Sequence, residues 1–303
     1  HYTHGRISEV LGLPFEAVDV DDHGRMSLDH LERLLATGEV GTVVATIGNT
    51  GLGMVDPLPG ILELAERHDV RVHADAAYGG YFGLAATLEP DVAARYAALG
   101  EADSIVIDPH KHGLQPYGCG CVLFRDPSVG SFYKHGSPYT YFSSAELHLG
   151  EISLECSRPG ASAVALWATH RLLPPEAGGE FAASLDQCLA AARAFHARLR
   201  SGEHYAPLLE PELDIVVYAV QADTASSASR AAREIFKRAA DDDLHLALIE
   251  LPAEWVAGHM DGLEIDADTV ACLRSVFMKA EHADWIDAIV DRLDRAAEGV
   301  VRR

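Results

Sequence analysis

The chain has 303 residues, 48% of them hydrophobic, and a formal charge of −22. So acidic a balance argues against nucleic acid and anionic membrane as partners, and no uninterrupted apolar run approaches the ~20 residues of a membrane span. The opening, HYTHGRISEV, lacks a basic-then-apolar leader pattern and an initiating Met, so the sequence reads as a fragment, a processed product or a trimmed form of a longer chain. Five cysteines, at 119, 121, 156, 188 and 272, form no disulfide framework and point to a reducing, cytoplasmic setting. Cys119 and Cys121 lie inside the strand-like GCGCVLF without a second pair, which argues against a metal site. Cys156 reads as an inert buried thiol.

In chain order, SLDHLERLLATG (27–38) predicts a helix opened by Ser27 and stopped by Gly38. TVVATI (42–47) is a short β-branched strand. DPLPGILELAERHD (56–69) predicts a helix capped by Asp56, with Pro57 in its first position and Ile61, Leu62, Leu64 and Ala65 on its apolar face. VRVHAD (70–75), DSIVID (103–108) and CGCVLF (119–124) are further strands. Short apolar strands alternating with helices predict a largely parallel sheet covered on both faces. A helix beginning near Ser162 is broken by RLLPPEAGGE (171–180). That break divides the chain into a large α/β domain, 1–175, and a smaller α+β domain, 176–303. The second domain is expected to hold helices near 180–200, 226–242 and 282–300 and strands near 214–220, 244–251 and 271–278.

Three strand ends carry polar residues: GNTGLG (48–53), HADAAYGG (73–80) and DPHKHG (108–113). In an open α/β sheet such ends converge on one crevice, which places Thr50, His73, Asp75, His110 and Lys111 near one site. An acid, a small residue and a lysine together suit pyridoxal phosphate. Its aldehyde bonds a lysine amine, and a carboxylate keeps its ring nitrogen protonated. Asp75 suits the nitrogen, and Ala77 suits a flat ring that a larger side chain would obstruct. Other readings stand beside this one. Lys111 also fits a plain salt-bridge residue, Asp75 a strand-end cap, and His73 reads as a packed strand residue rather than a ligand. His68, His112 and His135 read as surface histidines, and Trp167, Trp255 and Trp285 as core or domain-contact residues.

HADAAYGGYF followed by SIVIDPHKHG resembles the group II pyridoxal-phosphate-dependent amino-acid decarboxylases, which include aromatic amino acid, tyrosine, glutamate and aspartate decarboxylases. The resemblance runs from residue 1 to about 165 and more loosely beyond. It implies an α/β fold of the aspartate aminotransferase-like type (fold type I), with part of the large cofactor-binding domain and a smaller α+β domain. It implies that Lys111 is the Schiff-base lysine, that Asp75 pairs with the pyridinium, that Ala77 packs on the ring and that His110 contacts the phosphate or its surroundings. Thr50, in ATIGNTGLGMVD, matches a threonine near the cofactor's phenolic oxygen. His1 matches the histidine stacked on the ring. SPYTYF (137–142) resembles the loop bearing a catalytic tyrosine, with Tyr139 the better match and Tyr141 the next. In ECSRPGASA (155–163), Arg158 is placed to reach substrate or a neighbouring subunit.

The family carries a long segment ahead of the stacking histidine, including a small-residue loop that cradles the phosphate, and GNTGLG does not match such a loop. The implied reaction is α-decarboxylation of an L-amino acid to the amine and carbon dioxide, by a homodimer with a shared active site. The alternatives are other chemistry on the same cofactor (an aminotransferase, a carbon–carbon lyase or an aldehyde-forming decarboxylase) and a truncated, non-catalytic remnant that dimerises. PYTYF followed by SRPGAS leans toward the tyrosine/aspartate branch of bacteria and archaea.

Overall fold

The computed structural model describes residues 1–134 and 160–300. The first helix, α1 (Thr3–Leu11), ends at Gly12 in the left-handed conformation and buries none of its residues. Helix α2 (Leu28–Leu35) starts where Ser27 Oγ accepts the His30 N–H at 3.3 Å, and it buries Leu31 and Leu35. These are the cap and apolar spacing that the sequence predicts.

Strands β1 (Thr42–Thr46), β2 (Arg71–Asp75) and β3 (Ser104–Ile107) pair in parallel, and β4 (Cys121–Phe124) adds to β3 antiparallel. The sheet is thus parallel except at that last pairing. Its order follows the chain, because helices α3 (Leu58–Arg67) and α4 (Pro90–Ala97) carry the crossovers. Parallel neighbours need connections of this length.

Asp56 does not cap α3, as the sequence had suggested. Pro57 occupies the cap position without a side-chain bond. The Asp56 carboxylate instead accepts the Met26 N–H at 2.8 Å and the Thr46 N–H at 2.7 Å, joining the end of β1 to the segment before α2. Two backbone donors that the sheet leaves unpaired attract the carboxylate more strongly than one helix end.

After α5 (Ala161–Leu172) the proline- and glycine-rich stretch gives way to α6 (Glu180–Ser201). A second sheet follows, of β5 (Tyr205–Pro207), β6 (Ile215–Val220), β7 (Ala247–Pro252) and β8 (Thr269–Val276), all antiparallel in the order β5-β6-β8-β7. Helix α7 (Ala225–Asp241) opens with a capping box in which Thr224 and Ser227 satisfy each other's backbone. Helices α8 (Ala253–Ala257) and α9 (Ile286–Ala297) complete the chain. All six residues of β6 are buried, because helices and the first domain cover both its faces. One apolar core runs from the first sheet through Phe181, Leu185 and Leu189 of α6 into Leu213, Ile215 and Val217. A second lies between α6, α7, α9 and the other face of the small sheet. The first core therefore holds the two sheets against one another. Trp255 packs against it, but Trp167 and Trp285 are more than half exposed, against the reading of all three as core or contact residues.

Candidate active site

The DAAYGG segment follows β2, and Asp75 is its first residue, 8% exposed. Asp75 Oδ1 accepts the Ala77 N–H at 3.2 Å, and Oδ2 lies 2.7 Å from His4 Nε2. Burial alone pushes the Asp75 carboxyl up. The bond from His4, the Ala77 N–H and the field of His4 outweigh that and hold it below the ordinary carboxylate range. The segment turns sharply because Gly79 has no side chain: a Cβ there would meet the Ile47 carbonyl oxygen at 2.3 Å and the Tyr96 hydroxyl at 2.8 Å.

The DPHKHG segment follows β3 and is fastened to the first. The Asp108 N–H donates to the Ala77 carbonyl at 3.2 Å, and the Lys111 N–H to the Asp108 carbonyl at 2.9 Å. Lys111 Nζ stands 3.0 Å from Asp108 Oδ2, with the lysine side chain about one-third exposed. His110 Nδ1 donates to the Cys119 carbonyl at 2.8 Å, its Nε2 lies 3.5 Å from the same Asp108 oxygen, and its ring lies against Tyr117. Lys111 is therefore ion-paired, as its salt-bridge reading has it, and it is also delivered beside the Asp75–Ala77 segment.

His112 is not at the surface. It is 4% exposed, between Tyr78 and Asp214. Its neighbours in sequence gave no sign of this, because Asp214 lies 102 residues away. His73 packs within β2 and meets Ser104 Oγ at 2.8 Å, and burial holds its imidazole below its usual range.

Thr50 is exposed in a turn shaped by Gly48 and Gly53, both at positive φ, where Asn49 Oδ1 accepts the Leu52 N–H at 2.7 Å. His1 is exposed, its Nδ1 accepting the Thr3 N–H at 3.3 Å. With His4, Thr46 and Asn49 it lines a cavity of about 980 Å³ under α1. Tyr139, Tyr141, Arg158, His135 and Cys156 lie outside the described residues. Two contributors were absent from the expected set, His4 and Asp108. Asp108 stands in the quoted DPHK motif, and His4 is one helical turn from His1, which is the signal that locates each.

The side chains present fit pyridoxal phosphate. A lysine amine and a buried carboxylate kept anionic stand on neighbouring, hydrogen-bonded strand ends, with the small Ala77 between them in the chain. Among the described residues, no group of three or more His, Cys, Asp or Glu is arranged to hold a metal ion. No helix among them is long and apolar enough to cross a membrane.

Comparisons with known proteins agree with this chemistry. The sequence matches the pyridoxal-dependent decarboxylase conserved domain over residues 1–221. It is 31% identical over 228 residues to a probable L-tyrosine/L-aspartate decarboxylase of Methanothermobacter thermautotrophicus, covering 72% of this chain and 57% of that one. It is 29% identical over 222 residues to the L-aspartate decarboxylase of Thermococcus kodakarensis, covering 72% and 55%. This chain thus spans little more than half the length of these relatives. Among solved structures, mouse CSAD matches with a TM-score of 0.81 at 23% identity, covering 98% of this chain and 62% of that one. Oryza sativa TDC with PLP and tryptamine matches with a TM-score of 0.80 at 18% identity, covering 100% and 61%. The fold is that of the fold type I pyridoxal-phosphate enzymes, and the chain belongs to the pyridoxal-dependent decarboxylase family.

Proposed function

We propose that the protein removes the α-carboxylate of an L-amino acid as carbon dioxide, with pyridoxal phosphate held on Lys111. The observation that carries this reading is the bond between Asp108 N–H and Ala77 carbonyl, which fixes the Lys111 segment against the Asp75 segment. When bound, the cofactor supplies an aldehyde that an amine can capture and a protonated ring that accepts electrons from the breaking bond.

The chain's own residues do the rest. Asp75, kept anionic by His4 and the Ala77 N–H, holds the proton on the ring nitrogen. Asp108 Oδ2, 3.0 Å from Lys111 Nζ, holds that side chain beside the Asp75–Ala77 segment, and His110 Nε2 lies next to the same oxygen. Ala77 leaves room for a planar ring. Tyr139 delivers a proton to the substrate's Cα after carbon dioxide departs, the role its loop sequence implies.

The relatives named above support L-tyrosine or L-aspartate as the substrate class. We place the enzyme in the cytoplasm as a homodimer sharing its active sites. The four described cysteines, all free, are in keeping with a reducing compartment. The test supplies L-tyrosine, L-aspartate and L-glutamate separately to protein loaded with pyridoxal phosphate. Equimolar carbon dioxide and amine from one of them is the expected result. Aldehyde, an α-keto acid, or no product from any of them would contradict the reading.

A further inference from the structure

The loops after β1, β2 and β3 are each held by a polar group of the small domain. Arg274 of β8 donates from Nε to the Gly51 carbonyl at 3.1 Å, in the turn that carries Thr50. Asp214, fully buried just before β6, holds the other two loops. Its Oδ1 accepts the Tyr78 hydroxyl at 2.6 Å, and its Oδ2 lies 2.8 Å from His112 Nε2. His112 Nδ1 in turn meets the Tyr78 carbonyl at 3.1 Å. Tyr78 follows Ala77, and His112 follows Lys111, so this closed ring of bonds sits directly behind the residues assigned to the cofactor. Burial, then the charge of Asp214, pushes the Tyr78 hydroxyl well above its ordinary range, so it stays a donor.

A buried polar ring of this kind is costly unless every member is bonded. A phenylalanine and a leucine would fill the same space without that cost. The ring fixes the relative position of two backbone segments in a way that an apolar contact does not.

We propose that Asp214 is a positioning residue: through His112 and Tyr78 it sets Lys111 against the Asp75–Ala77 segment, so that the small domain determines how readily Lys111 captures the cofactor aldehyde. This rests on the assignment of Lys111 as the lysine that bonds the cofactor. In that step the Nζ lone pair attacks the aldehyde carbon, the carbonyl oxygen leaves as water, and a carbon–nitrogen double bond forms. Borohydride then adds hydride to that carbon and fixes the adduct as a secondary amine.

The test follows the rate of borohydride-fixed adduct at Lys111, by peptide mass, when pyridoxal phosphate is added to the cofactor-stripped, full-length protein. It is run well below the melting temperature, with circular dichroism showing each variant folded. Asp214→Asn keeps the ring closed. Its carbonyl accepts from Tyr78, and its amide donates to a neutral His112 that still donates to the Tyr78 carbonyl. It should stay within about three-fold of wild type. Asp214→Leu opens the ring and should slow adduct formation at least ten-fold and weaken cofactor binding with it. Should Asp214→Leu not fold, His112→Phe, which keeps the ring volume and removes both bonds, is read in its place with the same expectation. A folded Leu or Phe variant that merely melts earlier, while forming adduct at the wild-type rate, would overturn the positioning role. So would an Asn variant as slow as Leu. Adduct on another lysine in wild type, or none, would instead overturn the assignment of Lys111, and this inference with it.

Discussion

His4 Nε2 stands 2.7 Å from Asp75 Oδ2, so a residue of the first helix completes the hydrogen bonding of a buried carboxylate at the end of β2. That contact, with the Ala77 N–H, is what keeps Asp75 anionic against its burial.

His4→Ala removes the contact and leaves burial to dominate, so the Asp75 carboxyl moves up. A carboxyl held low in the folded state contributes stability above its unfolded pKa, about 3.9, and loses it as pH falls through the folded value. The variant should therefore be less stable than wild type by about 1 kcal/mol at pH 7, a charged hydrogen bond discounted for a histidine about one-quarter exposed. In urea unfolding the gap should narrow at pH 3. An equal gap at both pH values would refute the coupling.

Asp56 runs the other way. Burial holds its carboxyl above the ordinary range despite the bonds from Thr46 and Met26. A carboxyl raised in the folded state gives stability that is complete below the unfolded pKa, about 3.9, and is lost as pH rises through the folded value. Asp56→Ala should cost about 2–4 kcal/mol by leaving two backbone donors unpaired. It should also flatten the fall in stability above pH 4. Unfolding measured at half-unit steps of pH separates the two effects.

Glu212 accepts the Val55 N–H at 2.7 Å and the Arg95 guanidinium at 2.9 Å, and it also pairs with Arg25. Arg95 is itself buried. Arg95 also pairs with Asp91 and donates to the Val55 carbonyl, so Glu212→Ala leaves that charge one partner short and the Val55 N–H unpaired, and should cost about 1–3 kcal/mol. Because Val55 follows the turn bearing Thr50, cofactor binding should weaken as well, which a titration on folded protein would read.

Gly79→Ala drives a methyl group into the Ile47 carbonyl and the Tyr96 hydroxyl. The expected cost is about 1–3 kcal/mol from overpacking, with weaker cofactor binding as Ala77 and Tyr78 shift. A variant as stable as wild type with unchanged affinity would show that the turn adjusts freely.

Local sequence revealed every described strand but β5, most helices and the DAAYGG and DPHK segments, because each depends on periodicity or on residues near one another in the chain. What it missed depends on distant partners. Asp56 reads as a cap from its place before Pro57, yet its partners are Met26 and Thr46. His112 reads as a surface residue beside Lys111, yet it is enclosed by Tyr78, Phe82 and Asp214. Asp214 opens an apolar strand and carries no local sign that it grips two loops more than 100 residues earlier. The short strand β5 has only three residues and no alternation to announce it.

The central claim is that Lys111 carries the cofactor, and reduction of the pyridoxal-phosphate-loaded protein with borohydride followed by peptide mapping tests it most directly. The account predicts one reduced cofactor per chain, on Lys111, with the visible absorbance of the loaded protein lost in Lys111→Ala. A label on a different lysine, or an unchanged visible band in Lys111→Ala, would contradict it.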